Sequence, residues 1–196
     1  MATDETLPLD HTQSILEVTK LVGSLLKTSG QPFALAGSVA AYAQGVPLSL
    51  QHDSDFCVRR QDSEAIVKAL RDGGVEVRQP PEDWLLKANA NSEEIDLIFE
   101  LAHRPVTGEL LDRAELLEVD SVRMPVLSPT DLVGSLLAAL SEHHCDYSAL
   151  LPIARALRER VDWDQLRQEH GSRPLADAFL YLLQRLEVID AGEVPS

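Results

Sequence analysis

The chain has 196 residues, 44% of them hydrophobic, and a formal charge of −15 from 32 acidic against 17 basic residues. That length supports one or two small domains, and that charge argues against tight, nonspecific binding of long duplex DNA. Cys57 and Cys145 are too few for a disulfide framework, no run approaches the roughly 20 apolar residues of a membrane span, and residues 1–10 are acidic where a signal peptide is basic, so a cytoplasmic setting with no membrane contact is expected.

Residues 1–9 read as a loose tail and 191–196 as a loose end. From residue 12 to 29, Ile15, Val18, Leu21, Val22, Leu25 and Leu26 recur at helical spacing, with Gly30 as the stop. Residues 33–36 form a short apolar run that ends in Gly37-Ser38, and Val39, Ala40, Ala41 and Tyr42 follow. That pattern predicts a strand turning sharply into a helix. Residues 53–58 read as a second strand, and residues 62–72 as a helix closed by Gly73-Gly74. Further strands are predicted at 75–78, 84–88 and 95–101, separated by the breaks Gln79-Pro80-Pro81 and Asn89-Ala90-Asn91. The expected fold class is therefore α/β (α+β), a mixed sheet with helices, ending near Val126.

Beyond that point the chain turns helical. Ser128-Pro129-Thr130-Asp131 combines a capping hydroxyl, a first-turn proline and a carboxylate, which together predict a helix start. Helical patterns continue through 147–160, 163–168 and 174–186, giving a C-terminal helical bundle. The predicted division is a core domain over residues 1–126 and a helical domain over 127–196.

Asp53-Ser54-Asp55 places two carboxylates on one face of a strand. Two like charges held so close call for a cation, and Mg²⁺ takes such oxygen ligands together with substrate phosphates. Asp96 stands within the apolar run Ile95-Asp96-Leu97-Ile98-Phe99, where an acid is costly unless it is paired or bound to metal. Gly37 and Ser38 lie at a strand-to-helix turn, where backbone N–H groups and the helix dipole suit a triphosphate and the missing Cβ lets it approach.

A Gly-Ser turn, an Asp-x-Asp strand and an apolar strand with one acid, in that order, resemble the nucleotidyltransferase superfamily typified by DNA polymerase β. The resemblance spans residues 33–100. Residues 125–132, Pro-Val-Leu-Ser-Pro-Thr-Asp-Leu, are similar to the segment that opens the helical half in bacterial minor nucleotidyltransferases. Those include AbiEii-like and MenT-like toxins and, more distantly, lincosamide-modifying enzymes. His52-Asp53-Ser54-Asp55 also resembles their His-x-Asp-x-Asp form.

The resemblance implies metal-dependent transfer of a nucleoside monophosphate from an NTP to an acceptor hydroxyl. Asp53 and Asp55 would hold a Mg²⁺ (or Mn²⁺) ion bridging the triphosphate, and with Asp96 a second ion on the acceptor side. The acceptor is an RNA, such as tRNA, for a toxin-like enzyme with an antitoxin partner, or a small antibiotic-like molecule. The sequence leans toward the RNA acceptor on residues 125–132 and toward the small one on charge. One departure stands out: the toxin-like relatives carry a lysine shortly after the Asp-Leu, where this chain has Gly134-Ser135. Lys87, Arg59 and Arg123 are the candidate substitutes. A non-catalytic nucleotide-binding module of the same fold is the alternative class.

Other signals read as structure. Asp146 and Asp162-Trp163-Asp164 are expected to start helices, Trp163 and Tyr181 to sit in the core, and Arg155, Arg158 and Arg160 to line a solvated helix face. Adjacent ligands such as His143-His144-Cys145-Asp146 rarely chelate one ion.

Overall fold

A computed structural model describes residues 11–50 and 53–190, so the predicted tails and His52 lie outside the described residues. The chain begins with α1 (His11–Ser29), β1 (Phe33–Ala36) and α2 (Gly37–Ala43), then β2 (Ser54–Val58), a 3-10 turn at Arg60–Asp62, α3 (Ser63–Asp72), β3 (Glu76–Arg78), β4 (Leu85–Ala90) and β5 (Glu93–Ile98). Short β6 (Glu100–Leu101) and β7 (Arg104–Pro105), then α4 (Gly108–Asp112), lead into β8 (Glu115–Val119) and β9 (Val122–Val126). Helices α5 (Pro129–Ala139), α6 (Tyr147–Leu157), α7 (Trp163–His170) and α8 (Pro174–Arg185) complete it.

Seven strands form one mixed sheet in the order β3-β4-β5-β2-β1-β9-β8. β2 runs antiparallel to β1 and parallel to β5, while β9 lies parallel to β1 with Leu35 opposite Val126. Ser54, Phe56 and Val58 point to one face of β2 and are buried, and α1 and α3 pack together on that side. There Thr19 Oγ1 donates to Ile15 O at 2.7 Å and lies 2.6 Å from Ser54 Oγ, a buried hydroxyl pair that fixes α1 to the first residue of β2. The alternate residues of β2 face the other way, which is what turns Asp55 toward the opposite face. The buried apolar residues form one cluster reaching from α1 through the sheet to α8.

Several sequence expectations need correction. β4 runs through Ala90, so the expected break at Asn89-Ala90-Asn91 shrinks to a two-residue turn at Asn91-Ser92, with φ of 50° and 69°. The strand expected at 95–101 divides into β5 and β6, and residues 115–126 form a hairpin of β8 and β9. Tyr181 is 62% exposed and not part of the core. Trp163 is half-buried and donates from Nε1 to Arg158 O. Asp146 and Asp162 cap α6 and α7 through their side chains, and Ser128 caps α5 by accepting from Asp131 N. Among the described residues, no helix is long and apolar enough to cross a membrane.

Thr19→Val removes a buried hydroxyl and leaves Ser54 without its partner. Urea denaturation should show a loss of about 1–3 kcal/mol; an unchanged midpoint would mean that this hydroxyl pair does not hold α1 to β2.

Candidate active site

Asp55 and Asp96 are directly opposite each other in the parallel pairing of β2 and β5. Their carboxylates share one face of the sheet, and Asp53 precedes Asp55 by two residues, immediately before β2 begins. The crowding shows in the titration of Asp55, which is pushed up from 3.8 to about 7. Burial is the main cause, the charges of Asp96 and Asp53 add to it, and the Lys87 ammonium opposes it.

On the other side of Asp55 stands Ala36, its antiparallel partner, followed at once by Gly37. Gly37 has φ +63°, and a Cβ there would lie 2.1 Å from Asp55 Oδ2. The space beside Gly37 is thus taken up by the Asp55 carboxylate. Glycine is required on two independent grounds, the left-handed backbone and the carboxylate. Ser38 Oγ is buried and has no hydrogen-bond partner. A buried hydroxyl left unpaired costs free energy that a ligand oxygen would recover. α2 is only seven residues long, so its dipole is a smaller contributor than the sequence suggested.

Across Asp96 lies Lys87 of β4, its partner in the antiparallel register. Lys87 Nζ donates to Asp96 Oδ1 at 3.0 Å and to Glu94 Oε2 at 2.9 Å. Burial pulls the Lys87 ammonium down, but the bonds to Glu94 and Asp96 outweigh it and leave the ammonium held above its ordinary value. Among the described residues, no three or more His, Cys, Asp or Glu side chains are gathered into a metal-binding group. Asp53, Asp55 and Asp96 are neighbours by register and charge, not a closed cage. The segment His143-His144-Cys145-Asp146 is exposed and forms no such group either.

The sequence pattern of a protein family described as "Uncharacterised nucleotidyltransferase" matches residues 10–188. The chain belongs to this nucleotidyltransferase family. No curated protein matches its sequence. Among solved structures, the antibiotic-resistance factor ANT(2″)-Ia in solution is similar at 13% identity, with 91% of this chain and 97% of that one covered and a TM-score of 0.60. A crystal structure of ANT(2″)-Ia in complex with adenylyl-2″-tobramycin gives 12%, 87%, 99% and 0.58. An antigenic nucleotidyltransferase-like protein from Paracoccidioides brasiliensis gives 14%, 87%, 94% and 0.52. At these identities the likeness is one of fold.

Within this nucleotidyltransferase the three candidate substitutes for the absent lysine are far apart. Arg59 is four residues beyond Asp55, roughly 13 Å along an extended strand, and its Nε donates to Asp62. Arg123 is exposed near the start of β9, three residues before the Val126 that pairs with Leu35. Lys87 bonds directly to Asp96. Gly134 and Ser135 line a cavity of about 430 Å³ between α4, α5 and α7. Arg113 shares that cavity, with its guanidinium on both oxygens of Asp131 at 2.6 and 3.1 Å.

Two expectations follow from Gly37 and Asp55. Gly37→Ala forces both the positive φ and the clash with Oδ2, so denaturation should show a loss of about 1–3 kcal/mol. Adding Asp55→Gly should restore part of it, and simple additivity of the two changes would disprove the contact. The raised pKa of Asp55 also sets a pH dependence. The folded state binds this proton more tightly than the unfolded one, so the stability it contributes is full below pH 3.8 and is lost as pH rises to about 7. Asp55→Asn carries no such proton. Without divalent metal the variant should therefore gain on the wild type as pH rises through that window, and parallel melting curves from pH 3.8 to 7 would contradict the shift.

Proposed function

We propose that Asp53, Asp55 and Asp96 form the metal-dependent centre of this nucleotidyltransferase, and that it moves a nucleoside monophosphate from an NTP to an acceptor hydroxyl. The observation that carries the reading is the row formed by Gly37 at the end of β1, Asp55 on β2 and Asp96 on β5, with the orphaned Ser38 hydroxyl beside it. The donor chemistry fits a hard divalent ion such as Mg²⁺: all three candidate ligands are carboxylates, and the proton that Asp55 retains to about pH 7 marks negative charge in need of a cation. Bound there, the ion supplies charge neutralisation for the triphosphate and for the departing pyrophosphate.

The residues of the chain divide the remaining tasks. Asp53 and Asp55 would serve the ion shared with the triphosphate, and Asp55 together with Asp96 the one nearer the acceptor. Ser38 would donate its hydroxyl to a non-reacting phosphate oxygen. The acceptor oxygen forms its bond to the α-phosphorus as the α–β bridging bond breaks, the hydroxyl proton passes to solvent water on the Asp96 side, and pyrophosphate departs on the Gly37 side. Positioning and electrostatics account for most of the rate in such a site.

The toxin-like reading, with an RNA end such as that of tRNA as acceptor and an antitoxin as partner, is supported by residues 125–132, which form the end of β9 and the cap of α5. The small-molecule reading is favoured by the charge of −15 and by likeness of fold to ANT(2″)-Ia, a protein whose crystal structure contains adenylyl-2″-tobramycin. Each labelled NTP with Mg²⁺, incubated with total RNA or with tobramycin, separates them.

Asp53→Ala and Asp55→Ala should abolish transfer while the protein stays folded, and turnover at the wild-type rate in either variant would overturn the assignment. Asp96→Asn should keep NTP affinity, measured by calorimetry, and lose the chemical step. Loss of both together would show that the acceptor-side role given to Asp96 is wrong.

A further inference from the structure

We propose that the face of β4 and β3 beyond Asp96 is the acceptor platform, and that it takes an acceptor bearing phosphate beside its hydroxyl, of which a single-stranded RNA end is the type. The inference rests on the nucleotide-transfer reading above. It begins with the requirement that attacking and leaving oxygens lie roughly in line across the reacting phosphorus. Strand order gives that line a direction. Gly37, Asp55, Asp96, Lys87 and Arg78 follow one another from the end of β1 across β2, β5, β4 and β3, each beside the next in register or, for Gly37, one residue beyond it. With pyrophosphate leaving over Gly37 and Ser38, the acceptor must approach from beyond Asp96, over Lys87 and Arg78.

The charge on that approach indicates what it receives. Glu94 Oε2 accepts from Lys87 at 2.9 Å, and Glu94 Oε1 accepts from the Arg78 guanidinium. Lys87 also holds Asp96. Once a divalent ion claims Asp96, Lys87 and Arg78 are left sharing the single carboxylate of Glu94, which leaves one positive charge in excess. A concave basin of about 710 Å³ continues outward, lined by Arg71, Arg78, Glu76, Asn89 and Glu94 among others. Beyond Asp96, Lys87, Arg78 and Arg71 face Glu94 and Glu76, a net positive strip once the ion holds Asp96, on a chain whose overall charge is −15. A phosphate one group removed from the reacting hydroxyl completes that strip, whereas a polycationic acceptor would meet the arginines unfavourably. The small patch lets an otherwise acidic protein hold an RNA end without binding long nucleic acid.

Arg71 and Arg78 are exposed, so their replacement spares the core. A short, labelled single-stranded RNA with a free 3′ hydroxyl is titrated by fluorescence anisotropy with Mg²⁺ and no NTP. Arg78→Ala should weaken binding by about tenfold, or about 1.4 kcal/mol, and Arg71→Ala in the same direction. For Arg78→Ala, the slope of log affinity against log salt should shrink by roughly 0.7. Affinity for Mg²⁺ and a non-hydrolysable NTP should stay within about twofold, since that ligand lies across Asp96 from Arg78. RNA affinity that is absent in the wild type or unchanged in both variants overturns the proposal, and so does wild-type binding of tobramycin that weakens on Arg78→Glu. Failure of the wild type to bind the NTP with Mg²⁺ would instead overturn the transfer reading on which the proposal depends.

Discussion

Negative charge is concentrated where the sheet can least screen it. Asp55 and Asp96 face each other across one strand gap, about 4.8 Å, with Asp53 two residues away. Holding these carboxylates together costs free energy in the absence of a cation, and the protein meets that cost in three visible ways. Asp55 keeps its proton to about pH 7, Asp96 pairs with Lys87, and Gly37 gives up its side chain so that the Asp55 carboxylate fits against the turn. Structure elsewhere serves the same end: α1 is tied to Ser54 on the far face, so β2 presents Asp55 and not its neighbours to the site.

The same constraint explains why the site is divided by strand order. β1 and its turn supply the phosphate side, β2 the central acids, and β5 with β4 the acceptor side. A sheet whose order were sequential would separate these groups; inserting β2 and β5 as parallel neighbours brings residues 55 and 96 into one register. Lys87 therefore acts on both halves of the problem, as counter-charge to Asp96 and as the first cation beyond it.

How much of this was legible in the sequence varies with the signal. β1, the Gly37-Ser38 turn, α1 and the capped start of α5 fall where periodicity and capping chemistry put them, because each carries its own local cue. The hairpins did not. Their turns are Asn91-Ser92, Ala102-His103 and Asp120-Ser121, all with positive φ and none with the glycine that marks such turns in a sequence. The candidate acids were readable from spacing, but the pairing of Asp55 with Asp96 and of Lys87 with Asp96 depends on inter-strand register, which has no local signature. For that reason Lys87, Arg59 and Arg123 were equivalent as sequence and are not equivalent in space. Glu94, Arg78 and Arg113 carry no local signal, since a charge in a strand or loop looks the same in sequence whatever it pairs with.

The central claim is that the row of acids on β2 and β5 is a divalent-metal site for a triphosphate. A crystal grown with Mn²⁺ and a non-hydrolysable NTP, with anomalous data collected for manganese, tests it most directly. The account predicts manganese held by Asp53 and Asp55 with phosphate oxygens completing its shell, Lys87 no longer bonded to Asp96 when a second ion is present, and the Ser38 hydroxyl on a phosphate. Nucleotide bound away from this row, or manganese bound elsewhere with Asp55 still facing Gly37 unligated, would contradict it.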